Sequence, residues 1–189
     1  MKPLFSLLAL GLSASAAMAQ ADEPLFSVSG YGTLAWTQLS GQDAQYRVGT
    51  AEPNGTDRNG SGETDSKLGL QITARPTDTL SATVHLLSKK NVNNNFNPRV
   101  EWAYGKYDLT PNLSVRAGRL ALPGFVLSDY LNVGYSMTPV RGPVEVYAQL
   151  PISHFNGVDA LWRTKAGPMD LTVQPFAGRS NIHARFSDA

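Results

Sequence analysis

Phe26-Ser27-Val28-Ser29-Gly30-Tyr31-Gly32-Thr33-Leu34-Ala35-Trp36-Thr37 alternates with a period of two. Its even positions carry Phe26, Val28, Gly30, Gly32, Leu34 and Trp36, and its odd ones Ser27, Ser29, Tyr31, Thr33, Ala35 and Thr37. Successive side chains of a strand point to opposite faces, so the stretch reads as a strand with one apolar and one mostly polar face. The pattern recurs down the chain. Leu68, Leu70, Ile72 and Ala74 oppose Lys67, Gln71, Thr73 and Arg75, and Leu80, Ala82, Val84 and Leu86 oppose Ser81, Thr83 and His85. Val100, Trp102 and Tyr104 are expected to face away from Glu101. Leu113, Val115 and Ala117 oppose Ser114 and Arg116. Val158, Ala160 and Trp162 oppose Asp159 and Arg163, while Met169, Leu171 and Val173 oppose Asp170, Thr172 and Gln174.

A soluble sandwich shows the same alternation, so the connections have to decide. A long polar segment at 40–64, rich in Gly, Asn and Asp, is followed by a tight turn at Pro76-Thr77-Asp78-Thr79. A loop at 91–98 precedes a turn at Thr110-Pro111-Asn112, and a third short turn falls at Ala166-Gly167-Pro168. Long and short alternate, as in outer-membrane barrels with long extracellular loops and short periplasmic turns. Phe26 and Trp36 lie at opposite ends of the apolar face, and Trp102, Tyr104 and Trp162 take outward parity. Aromatic residues at both water–lipid boundaries are the girdles of such barrels.

Strand direction singles out one segment. The strand after Pro111 runs outward, and only one crossing, at 157–165, precedes the short turn at Gly167. Residues 121–156 are therefore expected to form a single long external connection, although Val144-Glu145-Val146-Tyr147 inside it is strand-like. It carries Phe125, Val126, Leu127, Tyr130, Leu131, Val133, Tyr135 and Met137, so it has to pack against something. Loops this long in compact structures are usually functional.

The first residues carry an address. Lys2, an apolar run at 4–12 and Ala17-Met18-Ala19 follow the order of a secretory signal peptide, with cleavage expected after Ala19. The run is too short for the roughly 20 apolar residues of a spanning helix. Loss of Lys2 from sixteen basic residues leaves the mature chain neutral against fifteen acidic ones. No basic tract suggests nucleic acid. The absence of cysteine excludes disulfides, thiolate metal sites and a Cys nucleophile.

Other chemistry is weakly written. Gly30-Tyr31-Gly32-Thr33-Leu34-Ala35 matches a dinucleotide fingerprint, but no helix or βαβ pattern follows it. Asp57, Asn59, Glu63 and Asp65 could gather at a surface Ca²⁺ but lack the ligand register of a known loop. No cofactor or metal is expected. The histidines, His85, His154 and His183, leave open an outer-membrane β-barrel enzyme acting on lipid. A soluble exported β-sandwich that binds sugar is the other alternative.

Val28-Ser29-Gly30-Tyr31-Gly32, Asp65-Ser66-Lys67-Leu68-Gly69-Leu70-Gln71, and Ala117-Gly118-Arg119 before the third external loop resemble the Gram-negative outer-membrane porin superfamily. The resemblance implies an all-β transmembrane antiparallel barrel of about sixteen strands, assembled as a homotrimer, with its third external loop folded into the lumen. It implies passive diffusion of small hydrophilic solutes and ions across the outer membrane, with lipid as the surrounding partner. Pro123-Gly124-Phe125 lacks the acidic residue that general diffusion porins place there, a departure that points equally to a related subgroup.

Seven readable strands form an odd, unclosed set, so residues 20–189 are expected to be the N-terminal part of such a barrel behind a signal peptide at 1–19. The expected pore-lining and constriction residues are Lys67, Arg75, Glu101, Arg116, Asp129, Arg141 and Glu145. The 121–156 connection can hide over a neighbouring subunit or inside its own barrel. The second is favoured, with Asp129 and Glu145 facing basic wall residues such as Arg116. Lumen-parity charges number six basic (Lys67, Arg75, Lys89, Arg116, Arg163, Lys165) to three acidic (Glu101, Asp159, Asp170), which predicts a weak anion preference.

Overall fold

A computed structural model of the chain describes residues 9–12, 24–41, 45–47, 55–91, 93–124, 132–133, 136 and 152–181. The strands are β1 (Ala9–Leu12), β2 (Phe26–Ala35), β3 (Lys67–Ala74), β4 (Leu80–Lys89), β5 (Arg99–Thr110), β6 (Leu113–Ala121), β7 (His154–Ala166), β8 (Met169–Val173) and β9 (Phe176–Arg179). Strands β1 to β8 pair in chain order, each antiparallel to the next, in one open sheet. Among the described residues no helix is long and apolar enough to cross a membrane.

Turn chemistry sets the hairpins. Thr77 Oγ1 accepts a hydrogen bond from the Leu80 amide at 3.0 Å, closing the turn between β3 and β4. Thr110 Oγ1 does the same for the Asn112 amide at 3.3 Å. Between β7 and β8 only Gly167 and Pro168 intervene, and Gly167 supplies the φ of +64° that the first central residue of a two-residue hairpin requires. Because every neighbour is antiparallel, these three turns share one rim of the sheet. The connections 36–66, 90–98 and 122–153 share the other.

The first long connection is tied down. Thr37 bridges Ser61, Tyr46 bridges Thr56, and Glu63 pairs with Lys90 at 2.9 Å. The third is shorter at both ends than its sequence pattern implies, because Ala121 already pairs with His154. Its strand-like Val144–Tyr147 stretch lies outside the described residues. Strands β8 and β9 are one strand interrupted by a proline. Trp162 lies opposite Val173 and Asp159 opposite Phe176 with no change of register, and Ala160 donates to the Pro175 carbonyl at 3.0 Å. Proline offers no N–H in return, which breaks the ladder without shifting it.

One feature adds to the sequence reading and another departs from it. The apolar run near the start places Ala9–Leu12 as a short strand on the edge of β2, with Ala9 opposite Ala35 and Leu12 opposite Gly32. The second is a β-bulge. Trp102 lies opposite His85 but Val100 opposite Leu86, so Glu101 is an extra residue in β5. A bulge reverses the face taken by everything beyond it. Trp102 and Tyr104 therefore share a face with His85 and Thr83, not the apolar face expected for them, and Tyr107 and Leu109 take the apolar positions.

The sheet buries the opposite face from a soluble protein. Its apolar face is bare: Leu34 is 71% exposed, Val28 66%, Leu68 63% and Phe26 62%, and the exposure extends to Trp162, Met169 and Leu171 at the far edge. The buried side chains, among them His85, Glu101, Ser114, Asp159, Leu87, Leu120 and Phe155, belong to the polar face. On the apolar face Phe26, Tyr107 and Trp162 line up near the short-turn rim, and Trp36 lies at the long-loop rim.

Candidate functional site: the polar face of the sheet

Two clusters lie on the polar face, and a third gathers where that face meets the long-loop rim. The first is a row of rings. The Tyr31 ring lies over Gly69, where a Cβ would collide with it, and its hydroxyl meets His85 Nε2 at 3.2 Å. His85 in turn stacks on Trp102 with centroids 4.1 Å apart and planes 18° from parallel. The missing side chain at Gly69 thus lets β2 reach across β3 to β4 and β5. The cluster places the expected lumen-facing His85 on this face, buried, with the bulge supplying its Trp102 partner.

The second cluster is an ion pair. Arg116 Nε donates to Asp159 Oδ1 at 2.9 Å and Nη2 to Oδ2 at 2.5 Å, a two-pronged contact across β6 and β7. Gln174 Nε2 donates to the same carboxylate at 2.8 Å. The Arg116 guanidinium also lies over the Tyr104 ring, 5.4 Å from its centroid. Planar guanidinium suits this combination of a carboxylate fork and an aromatic face. Arg116, expected to look toward Asp129 and Glu145, is engaged within the sheet by Asp159.

The third cluster gathers at the long-loop rim around the bulge. Glu101 is 2% exposed and pairs with Arg99 at 3.2 Å. Lys89 Nζ donates to Asn132 Oδ1 at 3.2 Å, which brings a residue of the 122–153 connection onto the polar face. At the neck of that connection the Leu122 amide donates to the Ser153 carbonyl at 3.1 Å. Arg119 Nη2 lies 2.5 Å from His154 Nε2, His154 Nδ1 lies 3.1 Å from Ser153 Oγ, and Ser153 hydrogen-bonds Glu101.

Donor and acceptor roles in this chain run one way. Arginine can only donate, so His154 Nε2 accepts and the ring proton sits on Nδ1. Nδ1–H donates to Ser153 Oγ, and the serine hydroxyl donates to the carboxylate. A base toward serine needs a bare nitrogen facing the hydroxyl, and His154 presents a proton there instead. Ser153 and His154 are neighbours, but the geometry is that of a brace.

The expected wall residues fall as follows. Lys67 lies on the polar face between Thr33 and Lys89. Arg75, just past β3, donates to Ser27 Oγ at 3.2 Å. Glu101 and Arg116 stand as described above, and Asp129, Arg141 and Glu145 lie outside the described residues. The bulge adds Lys106 and Asp108, and Arg99 shares the parity of Glu101, so the face carries Lys67, Arg75, Lys89, Arg99, Lys106, Arg116, Arg163 and Lys165 against Glu101, Asp108, Asp159 and Asp170. A clue was present: Lys106 and Asp108 share parity with Trp102 and Tyr104, whereas Ala103, Gly105, Tyr107 and Leu109 hold the other parity. The Asp57–Glu63 loop does not gather as a cation site. Asp57 accepts from the Asn59 amide at 2.8 Å, Glu63 turns to Lys90, and no group of three acidic or histidine side chains converges among the described residues.

Comparison with protein-family models, curated proteins and solved structures finds no match.

Proposed function

We propose that the chain forms a sector of a porin-like barrel in a bacterial outer membrane. Its polar face lines a water-filled channel for small hydrophilic solutes and ions. One observation carries this reading: large apolar side chains stand exposed across one whole face of the sheet, while His85, Glu101, Ser114 and Asp159 are buried on the other. Soluble monomers rarely expose an apolar patch larger than about 300–600 Å². Among the described residues, no second layer covers this face; Gly60 and Gly62 meet it at Trp36 on the rim. Lipid covers such a face, and a wet lumen accounts for the charges on the other. The reading includes further strands that close the sheet and a trimeric assembly, as in the porins that the chain resembles.

In this reading the 122–153 connection is a constriction loop. The Lys89–Asn132 hydrogen bond and the Ser153–Glu101 contact tie it to the lumen wall, which favours the barrel's own interior over a neighbouring subunit. Deleting residues 124–143 is expected to raise single-channel conductance in planar bilayers. A deletion variant that assembles with unchanged conductance would place the loop outside the pore. The two-to-one excess of basic wall residues predicts weak anion preference, read as the sign of the reversal potential in a salt gradient.

The same reading gives a topology. A protease site inserted in 41–62 is expected to be cut on intact cells, while one at Thr77-Asp78 is expected to be protected. The reverse pattern would invert the strand directions.

A further inference from the structure

The polar face holds a cavity of about 500 Å³ at the short-turn rim, between β3, β4 and β5, far from the loop-bearing rim. Its walls are chemically mixed. Thr73 and Thr83 face each other across β3 and β4 with their hydroxyls 3.1 Å apart. One hydroxyl donates to the other, and both residues line the cavity. Arg75 stands beside them, and Lys106 is held against Asp108 at 2.8 Å. The Tyr104 ring closes one side, and Asp78 comes from the turn.

We propose that this cavity is a binding subsite for a small, uncharged, polyhydroxyl solute of mono- to disaccharide size. The inference rests on the channel reading and names a solute class for it. Cavities that hold small ligands measure roughly 300–1,000 Å³, and this one falls within that range. Its charged lining balances, Arg75 and Lys106 against Asp78 and Asp108, so a ligand of net charge meets as much repulsion as attraction. A polyol both donates and accepts at every hydroxyl, which matches guanidinium, carboxylate and threonine groups side by side. The Lys106–Asp108 pair needs no rearrangement before a ligand arrives, which lowers the ordering cost of binding.

The test uses the chain reconstituted with whatever further strands complete its channel, in planar bilayers in potassium chloride. Maltose, glucose and glycine are titrated separately from the short-turn side, and the ion current is recorded. Maltose or glucose is expected to reduce the current saturably at millimolar concentration, with glycine producing no saturable block. The T73V/T83V double variant keeps β-branched side chains and removes both hydroxyls. It is expected to weaken sugar block at least tenfold with unchanged conductance in salt alone. If that variant fails to assemble, Lys106→Met serves instead, with the same weakening expected. Absence of any channel would overturn the reading beneath the proposal. A normal channel with no saturable sugar block, with glycine blocking as well as maltose, or with block unaffected by the variant, would overturn the subsite and leave the channel standing.

Discussion

With the apolar face in lipid, as proposed, Leu70→Arg is expected to prevent assembly or to destabilise the protein by about 2–4 kcal/mol, the cost of a basic side chain at mid-membrane on the lipid face of a barrel strand. Leu70 lies in the middle of β3, between Gly30 and Leu86, on the exposed apolar face. Its neighbour Gln71 points the other way, opposite Ser29 and His85. Gln71→Arg is expected to leave stability close to that of the parent, because on the proposed reading it adds one charge to a water-lined face. Urea unfolding in phospholipid vesicles, followed by tryptophan fluorescence, reads both variants. The contrast bears directly on what covers the apolar face. On a soluble protein an exposed leucine tolerates arginine, since surface substitutions usually stay within about 0.5 kcal/mol. Equal stability of the two variants would therefore remove lipid from the account of this face.

Asp159→Ala is expected to destabilise the sheet by about 3–5 kcal/mol, the range for removing one partner of a buried ion pair. The Asp159 side chain is fully covered and its partner Arg116 is 16% exposed, so solvent screens little of the loss. The alanine would strand the Arg116 guanidinium beside Tyr104 and take from Gln174 its acceptor. Asp159→Asn is expected to cost less, because the amide oxygen still accepts one arginine bond. The R116M/D159L double variant is expected to recover most of the loss, since a well-packed apolar pair replaces a buried ion pair with little penalty. A loss below 1 kcal/mol in the single alanine variant would mean that water reaches this pair in the assembled protein.

The legible and illegible parts of this protein divide along a physical line. Strand existence was legible because a strand's side-chain period is an integer, so Leu68, Leu70 and Ile72 declare their face without reference to any neighbour. The rim assignments were legible too, since Pro76-Thr77-Asp78-Thr79, Thr110-Pro111-Asn112 and Gly167-Pro168 carry turn chemistry in their own residues. The bulge was not. One extra residue at Glu101 is defined only by what lies across from it in β4, and no local pattern in Val100-Glu101-Trp102 distinguishes it from continued alternation.

That single residue moved Trp102 and Tyr104 from the apolar face to the polar one, brought Lys106 and Asp108 onto the polar face, and created the ring stack on His85. The partners of the charges were equally out of reach. Parity placed Arg116 and Asp159 on one face, but only the register of β6 against β7 sets them directly opposite one another. By itself, then, the sequence determined the alternation of faces outside β5, the turns and the antiparallel order of the strands that they join, because these depend on residues adjacent in the chain. Register, the bulge, the Arg116–Asp159 pair and the cavity between β3, β4 and β5 were decided by tertiary structure, because each is a relation between strands that becomes definite only when their ladders are hydrogen-bonded.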